Sequence, residues 1–195
     1  MNKKTVKKNA FKNSENNKVE VKSQDNTPLR LNLACGNVKI EGFVGVDIVK
    51  TEAADITVDL EKFPWPWKDE SVDEIFCSHY VEHTNDLIKF MDECYRILKP
   101  GGKIKIIAPY YNSIRAWQDP THKRAISEAT FLYFNRQWRE VNRLDHYSIK
   151  SNFDFNYGYD MNPEWASRAQ SARDFAIKHY TNVVNDIHVV LEKKQ

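Results

Sequence analysis

Val72-Asp73-Glu74-Ile75-Phe76-Cys77-Ser78, Leu87-Ile88-Lys89-Phe90-Met91-Asp92-Glu93-Cys94-Tyr95-Arg96-Ile97-Leu98 and Lys103-Ile104-Lys105-Ile106-Ile107-Ala108 follow one another as apolar run, amphipathic segment and apolar run. In the middle piece Leu87, Phe90, Met91, Cys94, Ile97 and Leu98 recur at three- and four-residue spacing, which predicts a helix with one buried face. Thr84 and Asn85 stand before it as candidate caps, and Pro100-Gly101-Gly102 stops it. A strand, a capped helix and a second strand in this order form a parallel crossover unit.

Outward from this unit, the upstream runs Arg30 to Cys35, Phe43 to Val49 and Asp55 to Leu60 read as further strands. Downstream, Ser127 to Trp138 reads as a second helix. Asn162-Pro163 opens a third, with Trp165, Ala169, Ala172, Phe175 and Ala176 on one face. Ile187 to Leu191 reads as a closing strand. Short apolar runs between longer segments suit strands covered on both faces. Only Asn37 to Phe43 separates the first two strands, too short for a crossover helix, so that crossover is expected as a turn. The expected architecture is α/β, a Rossmann-like three-layer α/β/α sandwich whose sheet is mostly parallel with an antiparallel C-terminal strand.

The 195 residues, 41% hydrophobic, allow one domain and a tail. Residues 1–26 hold Lys3, Lys4, Lys7, Lys8, Lys12, Lys18 and Lys22 with few apolar residues, so a disordered basic tail is expected there and a folded domain over 27–195. A net charge of +2 gives no reason to expect a nucleic-acid or membrane partner. Cys35, Cys77 and Cys94 form no paired motif and lie in core-like runs, as in a reduced protein. The tail lacks an apolar run of signal-peptide length, and a cytoplasmic location is the expectation.

Three of the upstream runs end in small or acidic residues. Leu33-Ala34-Cys35-Gly36 lets a ligand approach backbone, Val46-Asp47-Ile48 offers a carboxylate suited to a ribose diol, and Val58-Asp59-Leu60 ends the third run. Open parallel sheets bind ligands at these strand ends. The order of these pieces, with Phe63-Pro64, Ser71-Val72-Asp73, Ser78-His79-Tyr80-Val81-Glu82-His83 and Leu98-Lys99-Pro100-Gly101-Gly102, resembles the class I S-adenosylmethionine (SAM)-dependent methyltransferases, in particular their small-molecule branch, from Leu31 to about Phe134. The resemblance implies SAM as cofactor, methyl transfer as activity and a small molecule as acceptor. It implies cofactor contacts from Leu33, Ala34, Cys35, Gly36, Asp47, Ile48, Asp59, Leu60, Ser78 and His79. The chain departs from the pattern at Asn32, Ala34 and Val38, where the family has an acid and glycines. A glycine-rich dinucleotide loop is absent, which argues against a nicotinamide cofactor.

Beyond the fourth and fifth strands, His79, His83, Tyr110, Tyr111, Asn112, Trp117, Asp119 and His122 are placed by topology to face the pocket. Among these His122, Asp119 and His83 are the candidate catalytic groups, with Asp119 either orienting His122 or closing a turn. His79-Tyr80-Val81-Glu82-His83 also spells H-x-x-E-H, the zinc-hydrolase pattern. That pattern belongs inside a helix, whereas here it directly follows a strand, so no metal site is expected. A module that binds SAM without transferring methyl is the remaining alternative.

Overall fold

The computed structural model describes residues 27–195, and the tail expected over 1–26 lies outside the described residues. The elements are β1 (Arg30–Leu33), β2 (Val44–Asp47), β3 (Ile56–Thr57), β4 (Val72–Ser78), α1 (Leu87–Ile97), β5 (Leu98–Pro109), α2 (Arg115–Gln118), α3 (Glu128–Leu132), α4 (Arg136–Val141), β6 (Phe153–Met161), α5 (Pro163–Ala166), α6 (Gln170–His179) and β7 (Val184–Lys193). They build one seven-stranded sheet in the order β3-β2-β1-β4-β5-β7-β6. The pairs from β3 to β5 are parallel, and β7 runs antiparallel to both neighbours. The expected Rossmann-like α/β class and the antiparallel last strand are therefore found. The first crossover is a turn, as its length requires.

α1 forms because its apolar positions make one stripe and because Asp86 caps it, accepting a hydrogen bond from the Lys89 N–H at 3.0 Å. The cap is thus Asp86, one residue beyond the expected Thr84 and Asn85. Phe90, Met91, Cys94 and Ile97 are fully buried against Leu31, Leu33, Ile75, Ile104 and Ile106 of the sheet. Each such side chain contributes roughly 1.5–3 kcal/mol of burial. No helix lies between β3 and β4. Instead Trp65 and Trp67 are buried beside α1, the Trp65 N–H donates to Glu93 Oε1 at 2.6 Å, and Arg96 donates to the carbonyls of Trp65 and Trp67.

The sheet's second face is different. Arg30 and Lys105 both pair with Glu74, at 3.4 and 2.8 Å, and Lys103 pairs with Glu192 at 3.3 Å. β5 alternates exposed Lys103 and Lys105 with buried Ile104 and Ile106, so the covering expected on both faces is thin here.

Three downstream expectations change. Ser127 to Trp138 is two short helices, α3 and α4, divided where Asn135 accepts a hydrogen bond from the Trp138 N–H at 2.9 Å and starts the second. The third helix is split into α5 and α6, and of its expected apolar face only Ala176 is buried, with Phe175 exposed. β6 was not expected at all, although Phe153, Phe155, Tyr157 and Tyr159 alternate with polar residues or glycine in the period of a strand.

Candidate functional site

The first half of the site lies where β1 and β2 end. Ala34 and Gly36 both have left-handed backbone, φ 52° and 53°, and this turns the chain sharply out of β1. Asn32, at the place of the family's acid, is buried and donates its amide to the Val38 carbonyl at 3.0 Å, which fastens the turn into β2. Asp47 accepts from the Gly36 N–H at 2.8 Å through Oδ2 and from the Val49 N–H at 3.1 Å through Oδ1. Each carboxylate oxygen keeps a second lone pair for a ligand. Ile48 beside it is 60% exposed, an apolar ledge at the strand end, and nothing lies within 4 Å of where a Gly36 Cβ would stand.

The expected cofactor residues separate by how they face this edge. Ala34, Gly36, Asp47, Ile48, Ser78 and His79 are at least partly exposed, whereas the side chains of Leu33, Cys35 and Leu60 are in the interior. Cys35 packs on Ala53 and Ala54, and burial pushes its thiol pKa up, so only its backbone can meet a ligand. Asp59 Oδ1 accepts from the Glu61 N–H at 3.0 Å, an Asx turn that also serves a purely local purpose.

Gly45 holds this half together. A Cβ there would stand 1.9 Å from the Ala53 carbonyl oxygen, and the Gly45 N–H donates to Asp55 Oδ2 at 2.8 Å. Gly45→Ala is expected to force the 49–55 segment outward and to lower stability by roughly 1–3 kcal/mol, as overpacking does. Urea unfolding measures it, and an unchanged midpoint would show that the close approach is not needed.

The second half lies beyond β4 and β5. His79 leaves β4 with left-handed backbone, φ 54°, and its Nδ1 stands 3.4 Å from Glu82 Oε1. The Glu82 carboxylate holds the His79 pKa above its ordinary value, against the opposing effect of burial. Arg124 donates to the carbonyls of Val81, Thr84 and Asn85, so the segment after β5 clamps the loop after β4. This brings His83 and His122 together, ring centroids 4.6 Å apart. Asp119 Oδ1 accepts from the Thr121 N–H at 2.8 Å and from Thr121 Oγ1 at 2.7 Å, while its Oδ2 is 3.9 Å from His122 Nε2. Asp119 therefore closes its own turn, and its distance to His122 exceeds a hydrogen bond.

Of the other residues expected to face the pocket, Tyr111 and Trp117 are exposed and Tyr110 is buried, stacked edge-on against Tyr159. Two charged groups here gave no sequence signal. Asp186, at the start of β7 and opposite Pro109, is buried and pairs with Arg115 of α2. Burial raises its pKa, with Arg115 opposing. A strand-end acid is visible as a candidate only once β7 is known to run antiparallel, because only then do its opening residues share an edge with the last of β5. A groove of about 510 Å³ beside Lys103, Phe155 and His188 lies on the polar sheet face, away from this edge.

Residues 39–106 match the methyltransferase-domain family. A curated protein of Mycolicibacterium smegmatis, named a probable S-adenosylmethionine-dependent methyltransferase, is 32% identical over 75 residues. This stretch is 36% of this chain and 28% of that protein, so the chain spans well under two thirds of its relative. A SAM-dependent methyltransferase from Archaeoglobus fulgidus superposes with a TM-score of 0.61 at 18% identity, over 86% of this chain and 87% of the other. One from Mesorhizobium loti does so with 0.51 at 13% identity, over 86% and 91%. Among the described residues no helix is long and apolar enough to cross a membrane. The family match runs through β2, β3, β4, α1 and most of β5, and the superpositions show that the sheet has the fold of SAM-dependent methyltransferases of known structure.

Proposed function

We propose that residues 27–195 form a domain that transfers a methyl group from SAM to a small-molecule acceptor, at an oxygen or nitrogen. The observation that carries this reading is the pairing of Asp47 with the Gly36 loop at one end of the sheet edge, with the histidine-rich loops of β4 and β5 at the other. In this reading Asp47 would hold the ribose hydroxyls, and the backbone from Leu33 to Gly36 the amino-acid portion. Ile48, with Asp59 and Leu60 nearby in the chain, would take the adenine. Ser78 and His79 stand at the sulfonium end.

Bound SAM supplies a methyl group on a good leaving group, so the chain's task is alignment and exclusion of water. In this reading His83 and His122, the latter with a side chain 9% exposed, would orient an acceptor. Asp119 acts through Thr121 on His83 rather than directly on His122.

The test is calorimetric titration with SAM followed by incubation with methyl-labelled SAM and fractionated metabolite pools. Binding near one equivalent with label appearing in a small molecule is the expected result. Binding without turnover on any pool or on protein would favour a SAM-binding module. A folded protein that does not bind SAM would overturn the proposal.

A further inference from the structure

Glu82, His83 and His122 each offer a ligand atom, and the three atoms lie within 4.8 Å of one another. Glu82 is 1% exposed, and neither of its carboxylate oxygens has a hydrogen-bond partner. His79 Nδ1 approaches only Oε1, at 3.4 Å and without hydrogen-bond geometry, which leaves Oε2 with nothing to meet. A buried carboxylate without a partner is costly, and buried charges are ordinarily paired or coordinate a metal.

The histidines are prepared in a matching way. His122 Nδ1 lies 3.1 Å from the Ala116 carbonyl, which can only accept, so in the neutral ring this nitrogen carries the proton and Nε2 the lone pair. His83 Nδ1 lies 3.0 Å from Thr121 Oγ1, whose own proton goes to Asp119 Oδ1. Nδ1 of His83 is therefore also the donor, and its Nε2 is free. A ring N–H given to a carbonyl or to a carboxylate-linked hydroxyl is how proteins fix metal-binding histidines.

We propose that Glu82, His83 and His122 bind a divalent transition-metal ion, zinc or one of its first-row neighbours, at the edge where β4 and β5 end. Two neutral imidazoles and one carboxylate suit these ions, and three protein ligands leave coordination positions for water or an acceptor oxygen. The site differs from the H-x-x-E-H pattern, because His79 is not among the three and Glu82 is a ligand rather than a base. It departs from the expectation of no metal because His122 comes from 39 positions further along the chain, through the turn closed by Asp119. Its use in methyl transfer rests on the function proposed above, whereas binding itself does not.

The full chain, stripped with chelator, is titrated with zinc and with cobalt, reading heat and the cobalt visible spectrum. One equivalent with a spectrum of imidazole and carboxylate ligation is expected. His122→Ala and Glu82→Gln are expected to weaken binding by more than the roughly 10–100-fold that loss of an outer-shell partner costs, and His79→Ala to leave it within a few-fold. Circular dichroism and SAM titration of each variant separate loss of metal from loss of fold, and failure to bind SAM would count against the function and not the site. No stoichiometric metal in the folded wild type, or full binding by folded His122→Ala, overturns the proposal.

Discussion

Phe90→Ala is expected to lower the stability of the domain by about 3–5 kcal/mol, the range for removing a buried aromatic ring. Phe90 is fully buried where α1 meets the sheet, with its ring 5.5 Å from Trp65 and 5.4 Å from Tyr80. It packs three parts together: the helix, the irregular segment that stands in place of a crossover helix between β3 and β4, and the loop that begins the second half of the site. The variant is compared with wild type by urea unfolding, where the midpoint should fall with little change in slope. A shift worth under about 1 kcal/mol would mean that the surroundings collapse into the space, and that the site loop is held from elsewhere.

Asp47→Ala is expected to weaken SAM binding about 10- to 100-fold, because hydrogen bonds to a charged acceptor contribute roughly 1.5–3 kcal/mol. The sequence alone suggests that stability should hardly change. The structure adds two backbone donors, Gly36 and Val49, that also depend on this carboxylate. Both are near the surface, so a loss of about 1 kcal/mol accompanies the change. Calorimetry with SAM on both proteins, with thermal melts alongside, separates the two effects. Equal affinity in the two proteins would remove Asp47 from the ribose.

The strands other than β6, the main helix and the short first crossover are legible in the sequence because each depends on local pattern. β4 begins and ends where its apolar run does, and α1 lies inside its three- and four-residue repeat. The downstream region is read less well for a physical reason. Its helices are short and expose most of their surface, so periodicity is weak, and β6 has aromatic residues on one side and polar residues or glycine on the other without a long apolar run. Within the site, Asp47 and Gly36 are visible because each ends or follows a strand in sequence. The grouping of Glu82 with His122 is not, since it depends on Arg124 reaching back to three carbonyls around the β4 loop.

The polar face of the sheet has a thermodynamic consequence. Exposed ion pairs such as Lys103 with Glu192 add little to stability, so the strands rely on the other face and on one continuous interior running from Leu31 to Leu191. The span that carries the family match, residues 39–106, stops short of β7, which supplies Ile187, Val189 and Leu191 to that interior, and begins after β1. That span is thus a unit of sequence likeness without being a unit of folding. The domain should melt in one cooperative step whose loss takes both halves of the site together.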